Sequence, residues 1–168
     1  MMVEIALEAD EEWDSSRSWE PLVRRAAEAA IAESAFPQLA TAERPLEISV
    51  LLSSDRKVRD LNDEYRGKPR PTNVLSFPMI DRDALGETTV AGPEMLLGDI
   101  ILAHGVCDAE ARNKGVSLEQ HATHLIVHGT LHLLGYDHHD DQGAADMEAR
   151  EARALKRLGI ANPYEEAA

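Results

Sequence analysis

Between residues 128 and 138 the chain reads HGTLHLLGYDH, a string that leaves the backbone few choices. His128 and His132 are four residues apart, which on a helix puts both imidazoles on one face with their Cβ atoms about 6 Å apart. Gly135 follows where the apolar run stops, and glycine readily adopts the left-handed conformation that reverses a chain beyond a helix. The reversal brings His138 back towards the first two histidines. Upstream, Ser117 and Gln120 form a capping box ahead of LIV and LHLL, predicting a buried helix of about 18 residues that ends at Gly135. Three converging ring nitrogens with no fourth protein donor nearby is the pattern of a catalytic zinc, one position being left to water or substrate. The competing reading is three ordinary polar histidines, because an i, i+4 pair by itself is a weak signal.

The same string resembles the HExxHxxGxxH zinc clasp of the metzincin metalloproteases, with one letter changed. Gly129 stands where those proteases carry the glutamate that activates water. Zinc lowers the pKa of bound water to about 7 and can polarise a phosphoryl oxygen. Breaking a peptide bond also needs a proton delivered to a poor amine leaving group, and such acid-base help is worth about 10²- to 10⁴-fold. Losing the glutamate therefore disfavours proteolysis more than phosphodiester cleavage, where cations stabilise a more highly charged transition state.

A chain of 168 residues, 43% of them hydrophobic, suits one domain with its own core. It has no run of 18 apolar residues, and its start, MMVEIALEADEEWDSS, is acidic where a signal peptide is basic and then apolar. Neither export nor membrane insertion is expected, and the expected location is the cytoplasm. Cys107 is the single cysteine, so no intrachain disulfide and no thiolate cage can form; the residue reads as a small buried apolar group. The net charge of -14 argues against a general nucleic-acid binder. Residues 48–70, however, hold 6 basic and 4 acidic side chains while the stretches on either side are net negative. Arg66, Lys68 and Arg70 close that basic stretch, either as a grip for a polyanion or as a solvated cluster of loop charges.

Periodicity predicts strands at 3–9, 46–53, 73–78 and 95–103 and helices at 19–36, from Ser54 or Asp55 through VRDLNDEYR, at 105–113 and at 144–159. Residues 10–18 read as a mobile acidic loop and 79–94 as a polar loop. The whole is an α+β fold: a single domain spanning 1–168, with a small mixed sheet of about four strands packed against several helices and the histidine helix at its centre. The last helix is amphipathic and expected to pack across the sheet, with Met147 in a packing role. His121 and His124 extend the site face and are either supporting groups or ordinary buried imidazoles; the latter reading also covers His104 and His139. One of Asp137, Asp140 and Asp141 could orient a histidine, and the latter two equally suit capping of the final helix.

LNDEYRGKPRPTNVLSFP (61–78), LGDI (97–100) and HGTLHLLGYDH, in that order and spacing, resemble the YbeY family of bacterial metallo-endoribonucleases over roughly residues 46–164. Family members often carry an acidic then a basic residue after RGK, where this chain has Pro69 and Arg70. The resemblance implies a zinc-dependent endonuclease of single-stranded RNA that acts in 16S rRNA 3′-end maturation, ribosome biogenesis and ribosome quality control. It implies one Zn2+ per chain held by His128, His132 and His138, and a functionally required arginine at Arg66. Lys68 and Arg70 are further candidate substrate contacts. Small-subunit ribosomal proteins and a ribosome-assembly GTPase are the implied protein partners.

Two attacks on phosphorus are compatible with these residues, one by water and one by the RNA 2′-OH, which leaves a cyclic phosphate. A single strand suits a narrow cleft, and with 4% aromatic residues the stacking candidates are Tyr65 and Phe77, the latter also a core candidate. Two rival functions remain at this stage. One is a zinc peptidase drawing its base from Asp99, Asp137 or another carboxylate; the other is a noncatalytic ribosome-assembly factor with a structural zinc, for which an acidic surface complements basic partners.

Overall fold

The computed structural model describes residues 3–40, 45–86 and 93–164. In chain order these form β1 (Val3–Ala9), α1 (Trp19–Ala32), a 3-10 turn (Pro37–Ala40), β2 (Leu46–Ser53), α2 (Asp55–Arg66) and β3 (Val74–Pro78). They continue with α3 (Arg82–Gly86), β4 (Met95–Ala103), α4 (His104–Lys114), α5 (Leu118–Leu133) and α6 (Asp141–Arg157). The expected α+β architecture is present, with a mixed four-stranded sheet ordered β1-β2-β4-β3. β1, β2 and β4 run parallel and β3 is antiparallel along β4.

Burial explains the strand sequences. In β2 the alternation LEISVLLS sends Leu46, Ile48, Val50 and Leu52 into the main core, shared with Val23 and Ile31 of α1 and Ile126 and Leu131 of α5. β4 lies between β2 and β3, and from Ile100 to Ala103 it is buried on both faces, while Leu96 is exposed. Its sequence MLLGDIILA is accordingly almost continuously apolar, as a strand buried on both sides must be. On the second face Val58 of α2 packs with Leu75, Ile101 and Ala103 in a smaller cluster. α5 is the central helix, with 11 of its 16 residues buried, because the sheet, α1, α4 and α6 all pack on it. Its capping box is formed: Ser117 Oγ accepts from Gln120 N at 3.1 Å, and Ser117 N donates to Gln120 Oε1 at 3.4 Å.

Several boundaries differ from the sequence reading. α1 stops at Ala32 rather than at 36, since Pro37 biases Phe36 away from helical geometry and a 3-10 turn follows. The expected 79–94 loop contains α3, while its residues 87–92 lie outside the described residues. The 10–18 loop is anchored: Trp13 is 1% exposed, donates its indole N–H to the Ser53 carbonyl at 2.9 Å and meets Trp19 edge-on at 5.1 Å. α6 begins at Asp141, with Asp140 accepting from Gly143 N at 2.6 Å as its N-cap. It packs mainly on α1 and α5, not across the sheet. Cys107 is buried, as expected.

Candidate metal centre and its cleft

α5 delivers His128 and His132 from its last turns, and the chain then reverses at Gly135, whose φ is +92°. A side chain there would be strained and crowded as well, because a Cβ would stand 2.9 Å from Arg82 Cβ. His138 comes back beside the pair. Ring centroids lie 4.6 Å apart for His128 and His132, 5.3 Å for His132 and His138, and 5.7 Å for His128 and His138. One potential donor atom from each ring lies within 4.8 Å of the other two. A tetrahedral zinc with bonds of about 2.0–2.1 Å sets its donors about 3.4 Å apart, so modest ring rotations bring all three to one ion. The donor chemistry fits too. Burial, reinforced by the two neighbouring imidazoles, pushes His132 down to about 4, which keeps its ring neutral and its lone pair free at physiological pH.

The sequence reading missed the group behind this cluster. Glu151 of α6 is 1% exposed, and its Oε1 lies 3.0 Å from His128 Nδ1 and 3.0 Å from His124 Nε2. The Tyr164 hydroxyl donates to the same carboxylate, 3.0 Å from either oxygen. Burial works against the charged carboxylate, but hydrogen bonds from His124 and His128 outweigh it and hold Glu151 low, at about 2. One signal was available in the sequence: Glu151 follows Met147 by four residues and precedes Leu155 by four, so it occupies the apolar stripe of α6. His121 is likewise partnered, its Nε2 2.8 Å from Glu110 Oε1. Neither His121 nor His124 faces the three-histidine cluster as a fourth donor.

The three histidines open onto a cleft of about 880 Å³, whose walls include Arg66, Lys68, Thr72, Asn73 and Ser76 on one side and Asp137, Met147, Glu148 and Tyr164 on the other. Arg66 ends α2, where Gly67 adopts φ +67° and turns the chain into the cleft wall. Arg70 is exposed and is not part of the lining. Met147 is both packed, at 1% exposure, and part of the cleft. Asp137 lines the cleft and accepts from His139 N at 3.3 Å. Asp99 is elsewhere, in a second groove shared with Ser49, Tyr65 and Phe77. Tyr65 and Phe77 pack on each other at 5.4 Å in that groove, away from the histidines.

A family model described as Endoribonuclease YbeY matches residues 5–159. The chain belongs to the YbeY family. An Endoribonuclease YbeY from Sphingopyxis alaskensis is 49% identical over 164 residues, covering 97% of this chain and 98% of the relative. Another from Erythrobacter litoralis is 52% identical over 165 residues, covering 98% of each. The fold is similar to the solution structure of a Thermotoga maritima protein at 21% identity, with a TM-score of 0.53 and coverage of 98% of this chain and 100% of that one.

In this YbeY chain the three quoted strings meet in space. The 61–78 stretch supplies the Arg66 wall, the 128–138 stretch supplies the histidines, and LGDI in β4 lies between α5 and β3. Gly98 makes that junction possible, because a Cβ there would lie 2.5 Å from the Phe77 carbonyl oxygen and 2.6 Å from Leu133 Cδ2. Among the described residues no helix is long and apolar enough to cross a membrane.

Proposed function

We propose that this YbeY chain is a zinc-dependent endoribonuclease that cuts single-stranded RNA in the cleft between Arg66 and the three histidines. The observation that carries the reading is the shared cleft: His128, His132 and His138 face the same space as Arg66 and Lys68. The imidazoles would hold the zinc, which when bound supplies Lewis-acid polarisation and acidified water.

The remaining work falls to side chains of this chain. A phosphodiester entering the cleft brings negative charge, and the Arg66 guanidinium can take two of its oxygens in a planar fork. That pairing strengthens as charge builds up in the transition state, which lowers the barrier. Lys68 adds a point charge to the same wall, and Asn73 and Ser76 line it with neutral polar groups. Tyr65 and Phe77 lie in the other groove, which among the described residues leaves Tyr164 as the one non-histidine aromatic ring of this cleft, so the strand would be gripped mainly by its backbone rather than by a run of stacked bases. Arg70, outside the lining, is proposed to meet RNA only beyond the cleft. The cleft also bears on the peptidase alternative. Asp99 lies in the other groove, so the acid-base role there would fall to Asp137 or Glu148.

The family resemblance supports ribosomal RNA as the substrate, specifically maturation of the 16S rRNA 3′ end in the cytoplasm, with small-subunit ribosomal proteins and a ribosome-assembly GTPase as partners. The deciding experiment incubates purified single-stranded rRNA fragments with wild type, His132→Ala and Arg66→Glu, with and without added zinc. Cleavage by the wild type alone is expected, with end-group analysis distinguishing a cyclic phosphate from a hydrolysed end. Equal cleavage in all three proteins would discard the nuclease reading, and casein digestion lost in His132→Ala would replace it with the peptidase.

A further inference from the structure

α6 reaches the histidine cluster through one buried carboxylate. Glu151 sits at 1% exposure in the apolar stripe of its helix, where a charged side chain is costly unless fully hydrogen-bonded. Both oxygens have partners: Oε1 faces His128 Nδ1 at 3.0 Å and His124 Nε2 at 3.0 Å, and the Tyr164 hydroxyl lies 3.0 Å from both Oε1 and Oε2. Among the described residues no buried side-chain nitrogen or oxygen lacks a partner. A structural carboxylate could be satisfied by many groups, yet this one is aimed at the rear nitrogen of a candidate ligand. An acceptor at Nδ1 fixes the proton on that nitrogen and leaves Nε2 unprotonated.

We propose that Glu151 is the positioning residue of the metal centre: it locks His128 in the Nδ1–H tautomer with Nε2 free for the ion, and Tyr164 and His124 hold Glu151 in place. The proposal deepens the metal-centre reading above and rests on it. His128 depends on this partner because it projects from a helix, where the ring can rotate about χ2 and exchange tautomers with no backbone change. Of the three candidate ligands Glu151 is hydrogen-bonded to His128, so it serves one ligand rather than the whole cluster. Tyr164 belongs to the segment after α6, and its ring meets His124 edge-on at 5.5 Å, so it ties that segment to Glu151 and His124 through both its hydroxyl and its ring.

Two measurements test this on the full chain. Zinc affinity is measured by competition with a chromogenic chelator for wild type, Glu151→Ala, Glu151→Gln and Tyr164→Phe. Histidine side-chain 15N spectra of the metal-free proteins report the tautomer of His128. Outer partners of metal-bound histidines are typically worth about 10- to 100-fold in affinity, and Glu151→Ala is expected to lose that much. Glu151→Gln keeps the shape but can donate as well as accept; it is expected to mix the two tautomers and fall between wild type and alanine. Tyr164→Phe should lose a few-fold, with His128 still Nδ1–H. A purely structural role would lower thermal stability of the metal-free protein while leaving tautomer and affinity unchanged. Zinc binding within twofold of wild type in folded Glu151→Gln, with His128 unchanged, overturns the proposal while the metal-centre reading stands. Absence of zinc binding in the wild type overturns both. Should Glu151→Ala fail to fold, the glutamine variant decides.

Discussion

Gly129 lies directly against Ile100: a Cβ added to Gly129 would stand 3.1 Å from Ile100 Cγ2 and 3.2 Å from its Cδ1. The position that carries the catalytic glutamate in the metzincin pattern is here turned towards β4. Its glycine is explained by the close approach of α5 to the sheet. Replacing it with alanine gains about 1 kcal/mol of helix propensity and costs about 1–3 kcal/mol of overpacking, a net loss of about 0–2 kcal/mol. Gly129→Glu buries an unpaired carboxylate against Ile100 and is expected to lose more than about 3 kcal/mol without gaining peptidase activity. Urea unfolding and a casein assay check both; a stable Gly129→Glu protein would show that the helix stands off the sheet.

The metal should stabilise the fold through the three histidines. A ligand at 100 times its dissociation constant adds about 2.7 kcal/mol, which for a chain of this size raises Tm by about 5–10 °C. Differential scanning fluorimetry with zinc should show that rise in wild type, its reversal by a chelator, and no rise in His132→Ala. A rise that survives in His132→Ala places the ion elsewhere.

His121 predicts an acid sensitivity of the fold. Burial lowers its pKa, with the hydrogen bond to Glu110 offsetting only part of the effect. The unfolded chain therefore binds a proton more readily than the folded one. The stability this group contributes is complete above the unfolded value of about 6.5 and is lost as pH falls below it. Urea midpoints at pH 7.5 and 5.5 should fall further in wild type than in His121→Gln. Equal falls would mean that His121 charges in place.

Trp13 pins the acidic N-terminal loop to the end of β2. Trp13→Ala should cost about 3–5 kcal/mol, the range for deleting a buried aromatic side chain. Trp13→Phe keeps most of the packing but leaves the Ser53 carbonyl without its donor, for a loss of about 1–3 kcal/mol. Chemical denaturation measures both, and a loss below 1 kcal/mol for Trp13→Ala would mean that the loop is not held by this side chain.

Much of the site was legible because it is local. The i, i+4 histidines, the Ser117 and Gln120 box and the Gly135 reversal are each written within one helix and its ends, where backbone geometry follows from residue spacing. The strands were legible for the same reason: LEISVLLS alternates because one face is buried, and the IILA end of MLLGDIILA does not because both are. Arg66 was legible as the end of a helix, and its placement in the histidine cleft required α2 and α5 to be set on the sheet.

What lay beyond the sequence was every pairing between elements. Glu151 stands 23 residues after His128, and nothing local says that α6 packs on α5 rather than across the sheet. Asp99 and Phe77 lie within the site strings yet face a different groove, since side chains at odd and even strand positions point to opposite faces. Gly129 read as a missing base and is a contact with Ile100. By itself the sequence determined which nitrogens a helix and a glycine turn can gather. The tertiary structure alone decided which carboxylate stands behind them, because burying the apolar stripe of α6 against α5 is what carries Glu151 to the back of His128.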